Sequence, residues 1–169
     1  MEKQRVLSVD GRAGLGGAGR PDPGMGMKWY KFLVIILILS SFADVSNAVM
    51  FITGLIYSMQ GFDGVAIYTA YPMIKTYDVV YGIVILFFAV FKIYVWWQLK
   101  GMKKKAPFMI LLLHGISVVP DVIYNLFCGV AVGRVYDILP ELFADIAGGV
   151  ALVCLSYIYF SKRKHLFVN

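Results

Sequence analysis

The sequence predicts an all-α fold, a four-helix transmembrane bundle with both termini on the cytoplasmic side. Three observations lead to this prediction: the composition, four long apolar runs, and a one-sided distribution of Lys and Arg. Of 169 residues, 60% are hydrophobic and 15% are charged, whereas soluble domains have about 45–50% and about 25%. A chain of this length forms about one domain. That domain cannot hide so much apolar surface, so we expect the lipid bilayer to cover the excess.

Each of the four apolar runs is long enough to cross a bilayer. They cover residues 32–57, 79–98, 107–132 and 142–160. A helix needs about 20 apolar residues to cross the hydrocarbon core, and the runs lack the alternation of a strand. Helices also satisfy their own backbone groups in lipid. We therefore predict four helices in one membrane domain, residues 27–169.

The basic residues fall on one side of the predicted membrane. Thirteen Lys and Arg precede the first run, separate the second from the third, or follow the fourth, whereas the other two connections hold only Lys75 and Arg134. The positive-inside rule then places both termini in the cytoplasm. The same topogenic charge accounts for the net charge of +6. We therefore predict no nucleic-acid partner, although a basic tail that contacts RNA is the alternative.

Two alternatives concern the N-terminal part of the chain. Residues 1–26 are rich in glycine and lack aromatic residues, so they are predicted to be a disordered cytoplasmic tail. Met27 offers a second start of translation. The alternative, given equal weight, is therefore that residues 1–26 are an upstream extension of the protein. Separately, residues 46–48 form a small-x-small site after a basic, apolar stretch, which is typical of a cleaved signal peptide. The apolar residues that resume at Val49 favour an uncleaved helix.

Polar residues inside the apolar runs mark the candidate site, because polar and ionisable side chains at membrane depth are costly and by default functional. They form a candidate intramembrane polar cluster of seven residues: Asp44, Asn47, Lys92, His114, Ser117, Asp121 and Asn125.

Helical rise predicts the depth of each ionisable group. Asp44 and Asp121 fall in one deeper layer, and Lys92 and His114 fall in a shallower one. Asp145 is expected near the outer edge, in contact with water. This depth allows the two deep carboxyl groups to face each other and pairs Lys92 with His114. Two alternatives remain for Lys92: it reaches the inner headgroups, or it is the partner of the carboxyl groups if both are ionised.

Asp44 and Asp121 have two interpretations, because short side chains cannot reach the headgroups from mid-depth. They act as packing groups, hydrogen-bonded to Asn47 and Asn125, or they carry ions or protons across the membrane. Pro120 precedes Asp121 and frees a backbone carbonyl, which favours a small polar cavity at this point.

No catalytic, metal-binding or cofactor-binding motif is recognisable, so we predict a protein that is not an enzyme. Cys128 and Cys154 form no CxxC pair and fall at different depths, which disfavours a thiol redox centre. Small residues spaced four apart let helices approach closely. Such pairs, Ala144 with Gly148 and Gly129 with Gly133, serve an internal contact or a homo-oligomer.

The ends of the membrane domain carry a resemblance. MKWYKF at residues 27–32 and YFSKRKHLFVN at residues 159–169 resemble a family of small uncharacterised bacterial membrane proteins with four helices. The resemblance covers residues 27–169. It implies the bacterial plasma membrane, and it implies no activity and no site residue.

Two functions remain after these exclusions. The first is an accessory or interaction protein whose buried polar groups hold the helices together. The alternative is a small oligomeric ion- or proton-coupled transporter or channel that uses Asp44 and Asp121. A hydrated cavity touching both carboxyl groups would favour transport, and a dry interface would favour the accessory role.

Overall fold

The computed structural model describes residues 28–167, and every element in this range is helical. In chain order the elements are α1 Lys28–Thr53, α2 Leu55–Met59, α3 Gly64–Ala70, α4 Pro72–Lys100, α5 Ala106–Val132, α6 Val135–Ser161 and a short 3-10 helix Lys164–Leu166. The all-α prediction is confirmed for this range. The predicted tail, residues 1–26, lies outside it.

Four helices, α1, α4, α5 and α6, are long and apolar enough to span a membrane. In their most apolar 18-residue windows, only 11% to 22% of the residues are buried inside the protein. Most of the apolar surface therefore faces outward, as expected of helices that contact lipid. The chain is a multi-pass membrane protein by this measure, and the orientation of its termini stays a prediction.

Four helix bounds differ by four or more residues from those predicted. The first helix begins at Lys28 rather than residue 32. The first helix ends at Thr53 rather than residue 57, because Gly54 adopts a left-handed conformation with φ 76°, which terminates helices. The second begins at Pro72 rather than residue 79; proline suits the first turn of a helix. The fourth begins at Val135 rather than residue 142. The length of an apolar run underestimates the length of a helix whose ends carry polar side chains.

The long helices pack as neighbours in chain order, α1 on α4, α4 on α5 and α5 on α6. The main buried core lies at the end of the bundle that carries most of the Lys and Arg, and we call this end the basic end. All four long helices contribute to this core, through Leu33, Val95, Ile110 and Phe160 among others. The opposite end is joined by the loop that contains α2 and α3.

The space around each glycine shows which pairs of small residues make contacts within the monomer. A Cβ on Gly82 would lie 2.6 Å from Cγ1 of Ile52, and one on Gly129 would lie 2.6 Å from Cδ1 of Ile138. Gly129 therefore packs against the chain's own α6. In contrast, Ala144 and Gly148 are exposed, and nothing lies within 4 Å of a Cβ on Gly148. Only this second pair remains open to another chain.

Candidate functional site

A polar cavity of about 290 Å³ lies between α1, α4 and α5. A water molecule occupies about 30 Å³ of liquid, and polar cavities of sufficient size are hydrated. The cavity therefore has room for several waters. The polar side chains in its wall are Asp44, Asn47, Tyr81, Lys92, Ser117 and Asp121. Five of the seven predicted cluster residues are among them.

An ion pair joins two of these walls. Nζ of Lys92 lies 2.6 Å from Oδ2 of Asp44, and each side chain keeps 19% of its surface exposed. The predicted pairing of Lys92 with His114 is wrong. The reason is side-chain direction: Cα–Cβ bonds tilt toward the N-terminus of a helix, and α1 and α4 are antiparallel. Lys92 therefore leans toward the loop end and Asp44 toward the basic end, so the long lysine closes the difference in depth.

Asp121 has a different partner. The hydroxyl of Tyr81 donates a hydrogen bond to Oδ1 of Asp121 at 2.6 Å, and no basic residue within residues 28–167 forms a salt bridge with this carboxyl. The expected bond to Asn125 is not formed. Pro120, which lacks an amide hydrogen, is also in the cavity wall.

Asp145 lies deeper in the membrane domain than predicted. Because α6 begins at Val135, this residue is roughly 15 Å from the helix start on helical rise. Its side chain is exposed, and it lies near enough to Asp121 and Tyr81 for their charges to interact. Asp145 is not among the residues of the cavity wall.

His114 and Asn125, the other two cluster residues, are not in the cavity wall. His114 lines a separate, largely apolar groove between α5 and α6, together with Gly149 and Cys154. Its Nε2 atom is buried and has no hydrogen-bond partner among the described residues. Asn125 is half-buried. The predicted cluster residues of α5 are therefore divided between different surroundings.

Asp78 forms a second polar centre that the sequence analysis missed. It is fully buried, with 0% of its surface exposed. Three tyrosine hydroxyls donate to its carboxyl group: Tyr57 at 3.0 Å, Tyr68 at 2.8 Å and Tyr124 at 2.7 Å. We call these four residues the Asp78 centre. In the sequence, Asp78 lies just before the apolar run 79–98 and so falls in the predicted loop.

The loop end folds so that two of these tyrosines reach Asp78. Oδ1 of Asp63 accepts a hydrogen bond from the Val65 amide at 2.9 Å and caps the start of α3, which carries Tyr68. A Cβ on Gly54 would lie 2.8 Å from the Tyr68 hydroxyl, so only glycine leaves room for this approach. Burial, and then the neighbouring Asp78, raise the pKa of Tyr57 and Tyr68.

The two polar centres are linked by a reciprocal arrangement of α4 and α5. Asp78 and Tyr81 are three apart on α4, as are Asp121 and Tyr124 on α5, and residues at this spacing share a helix face. Each tyrosine donates to the aspartate of the other helix. The two rings stack between them with centroids 4.2 Å apart, and Phe51 packs edge-on against both. The repeated Asp-x-x-Tyr spacing was the available signal for Asp78.

Each long helix thus contributes one aspartate away from its ends: Asp44, Asp78, Asp121 and Asp145. Lys92 is the one Lys or Arg at comparable depth in the described helices. Carboxyl groups in the wall of a polar cavity are chemically able to exchange protons or to bind cations. Among residues 28–167 no three His, Cys, Asp or Glu side chains are grouped so as to hold a metal ion.

Comparison with protein-family models, curated proteins and solved structures gave no match for the chain. The resemblance to small bacterial membrane proteins therefore stays a prediction.

Proposed function

We propose that the protein is a small ion- or proton-coupled membrane transporter, and that Asp121 is the carboxyl group that exchanges the proton or cation. The observation that carries the proposal is the single cavity of about 290 Å³ that Asp44, Lys92 and Asp121 share. Polar groups that only hold helices together require no cavity, because such packing groups are most effective in a dry contact.

The ion pair and the hydrogen bond give the two aspartates different roles in this proposal. Lys92 neutralises Asp44, so that one carboxylate is compensated. Asp121 has one oxygen held by Tyr81, and its other oxygen is available to a proton or small cation. Asp145 adds negative charge nearby, which favours cations over anions. A cation that reaches the cavity then competes with Lys92 for Asp44.

A transport pathway across the membrane requires more lining surface than one bundle of this size supplies. We propose that a homo-oligomer supplies it, through the exposed face that contains Ala144 and Gly148. We also place the oligomer in the bacterial plasma membrane with both termini in the cytoplasm, on the distribution of Lys and Arg and the resemblance described above.

Proton flux into liposomes tests the transport proposal. The purified chain is reconstituted with a pH-sensitive dye inside the liposomes, and a pH gradient is applied. We expect the wild type to dissipate the gradient faster than empty liposomes, and Asp121→Asn to lose this flux. The control is Asp137→Asn, which changes an exposed aspartate near the start of α6. Wild-type liposomes that match empty ones, for protons and for monovalent cations, would refute the proposal.

The second function, an accessory or interaction protein, is favoured by the Asp78 centre. Its carboxyl group is buried and bonded to three hydroxyls, which is what helix-packing groups require. On this alternative the chain carries no flux, and the aspartates contribute to stability alone.

A further inference from the structure

The charged residues of the described chain are separated between its two ends. All seven acidic residues of residues 28–167 lie in the half that contains the α2–α3 loop: Asp44, Asp63, Asp78, Asp121, Asp137, Glu141 and Asp145. Nine basic residues lie at the basic end: Lys28, Lys31, Lys100, Lys103, Lys104, Lys105, Lys162, Arg163 and Lys164. Within the described range these cations therefore have no carboxylate to pair with.

Aromatic rings hold three of the nine cations. The distances from the cation to the ring centroid are 5.0 Å for Lys100 over Trp96, 3.4 Å for Lys103 over Trp97 and 3.9 Å for Arg163 over Tyr159. Lys104 and Lys164 are exposed and lie instead at a groove between the start of α5 and the end of α6.

The groove has a volume of about 370 Å³ and combines the two lysines with an apolar wall. Lys104 comes just before α5 begins at Ala106, and Lys164 comes just after α6 ends at Ser161. Both ammonium groups therefore lie at the level where a spanning helix meets the lipid headgroups. The apolar side chains of the wall are Pro107, Phe108, Leu111, Phe160 and Phe167.

We propose that this groove is a binding site for an anionic glycerophospholipid. The phosphate lies between the ammonium groups of Lys104 and Lys164. The upper part of one acyl chain lies along Phe108 and Leu111. Basic pockets between helices at a membrane surface are the sites at which anionic headgroups bind. A soluble phosphate would use the lysines and leave the apolar wall uncovered.

This site is separate from the cavity and does not depend on the transport proposal. Its bound lipid would connect α5 to α6 at the basic end, where the described chain offers the lysines no intramolecular anion. The binding energy is available only to a lipid that provides both a negative headgroup and an acyl chain.

Native mass spectrometry of the full chain in detergent tests the proposal. Three ligands are titrated separately: palmitoyl-oleoyl phosphatidylglycerol, the phosphatidylcholine with the same chains, and inorganic phosphate. We expect preferential retention of phosphatidylglycerol. In Lys104→Gln/Lys164→Gln its apparent Kd should rise about tenfold or more, because two ammonium contacts are lost.

The matched control is Lys103→Gln/Lys162→Gln, which removes the same charge from the same two segments but leaves the groove lysines. It should keep the wild-type Kd within about twofold, because neither residue lines the groove. A second variant, Leu111→Trp, fills the apolar wall without changing charge and should also weaken phosphatidylglycerol binding. Equal loss in both lysine pairs, unchanged binding in the groove pair, or equal affinity for inorganic phosphate would each overturn the proposal.

Discussion

Tyr81 on α4 donates to Asp121 on α5 at 2.6 Å, and the same two helices carry the reverse bond, from Tyr124 to Asp78, at 2.7 Å. The two bonds have the same chemistry but different surroundings. Asp121 is in the wall of the polar cavity, whereas Asp78 is fully buried. Water can replace a lost hydroxyl at Asp121, but nothing can replace it at Asp78.

This difference predicts unequal costs for removing the two hydroxyls. Tyr124→Phe should lower the free energy of unfolding by about 1–2 kcal/mol, toward the upper end for hydrogen bonds in membrane proteins. Tyr81→Phe should lower it by less than about 0.6 kcal/mol, because a cavity water takes the vacated position. Unfolding in mixed micelles with increasing dodecyl sulfate measures both.

Tyr136→Phe is the control for these substitutions, since Tyr136 is 86% exposed and should be neutral. Equal losses for Tyr81→Phe and Tyr124→Phe would mean that the cavity is dry, and the accessory function would then be favoured over transport.

The sequence predicted the spans and part of the cavity for clear physical reasons. Run length identifies a spanning helix because the bilayer sets the length, and depth placed Asp44 and Asp121 together because helical rise is constant. The Asp44–Lys92 pair was predicted only as an alternative, because depth counts the positions of Cα atoms and ignores the tilt and reach of a lysine. Asp78 was not predicted because hydropathy assigns polar residues at helix ends to loops. Three tyrosine hydroxyls nevertheless allow this carboxyl group to be buried.

High pH should weaken the Asp78 centre. In the unfolded chain tyrosine ionises near pH 10, while burial and then Asp78 raise the pKa of Tyr57 and Tyr68 in the folded protein. Because the folded pKa is the higher one, this contribution to stability is complete below about pH 10 and is lost as the pH rises above it.

The measurement is the unfolding midpoint from about pH 8 to about pH 11, across the ordinary tyrosine pKa. The double variant Tyr57→Phe/Tyr68→Phe should be less stable than the wild type at the lower pH and should lose stability less steeply above about pH 10. The exposed-site variant Tyr136→Phe should follow the wild type. A double variant that declines as steeply as the wild type would show that these two phenols are not the groups responsible.

Cysteine labelling should place the α2–α3 loop outside the cell and the C-terminal segment inside. In a background with Cys128→Ser and Cys154→Ser, Gln60→Cys should react with a membrane-impermeant maleimide in intact cells. Ser161→Cys should react only after permeabilisation. Both positions are exposed, and the concentration of Lys and Arg near residue 161 sets the direction. Labelling of Ser161→Cys in intact cells would overturn the predicted orientation.

The Asp44–Lys92 ion pair predicts a compensation between two substitutions. Asp44→Asn leaves the Lys92 ammonium without a partner charge, and Lys92→Met leaves the Asp44 carboxylate without a partner charge. Removing one partner of a fully buried pair costs about 3–5 kcal/mol. Because each side chain keeps 19% of its surface exposed, we expect each single variant to lose about 1–3 kcal/mol.

The double variant Asp44→Asn/Lys92→Met removes both charges and should recover at least half of the summed loss, since no uncompensated charge then remains in the membrane domain at this position. Dodecyl sulfate unfolding of the four proteins completes the double-mutant cycle.

The matched control is the combination of Asp121→Asn with Lys92→Met. Asp121 shares the cavity but is bonded to Tyr81 rather than to Lys92, so its coupling to Lys92→Met should be clearly smaller than that of Asp44→Asn. Additive losses for Asp44 and Lys92 would contradict the ion pair, and strong coupling of Lys92 with Asp121 instead would place the lysine between the two carboxyl groups.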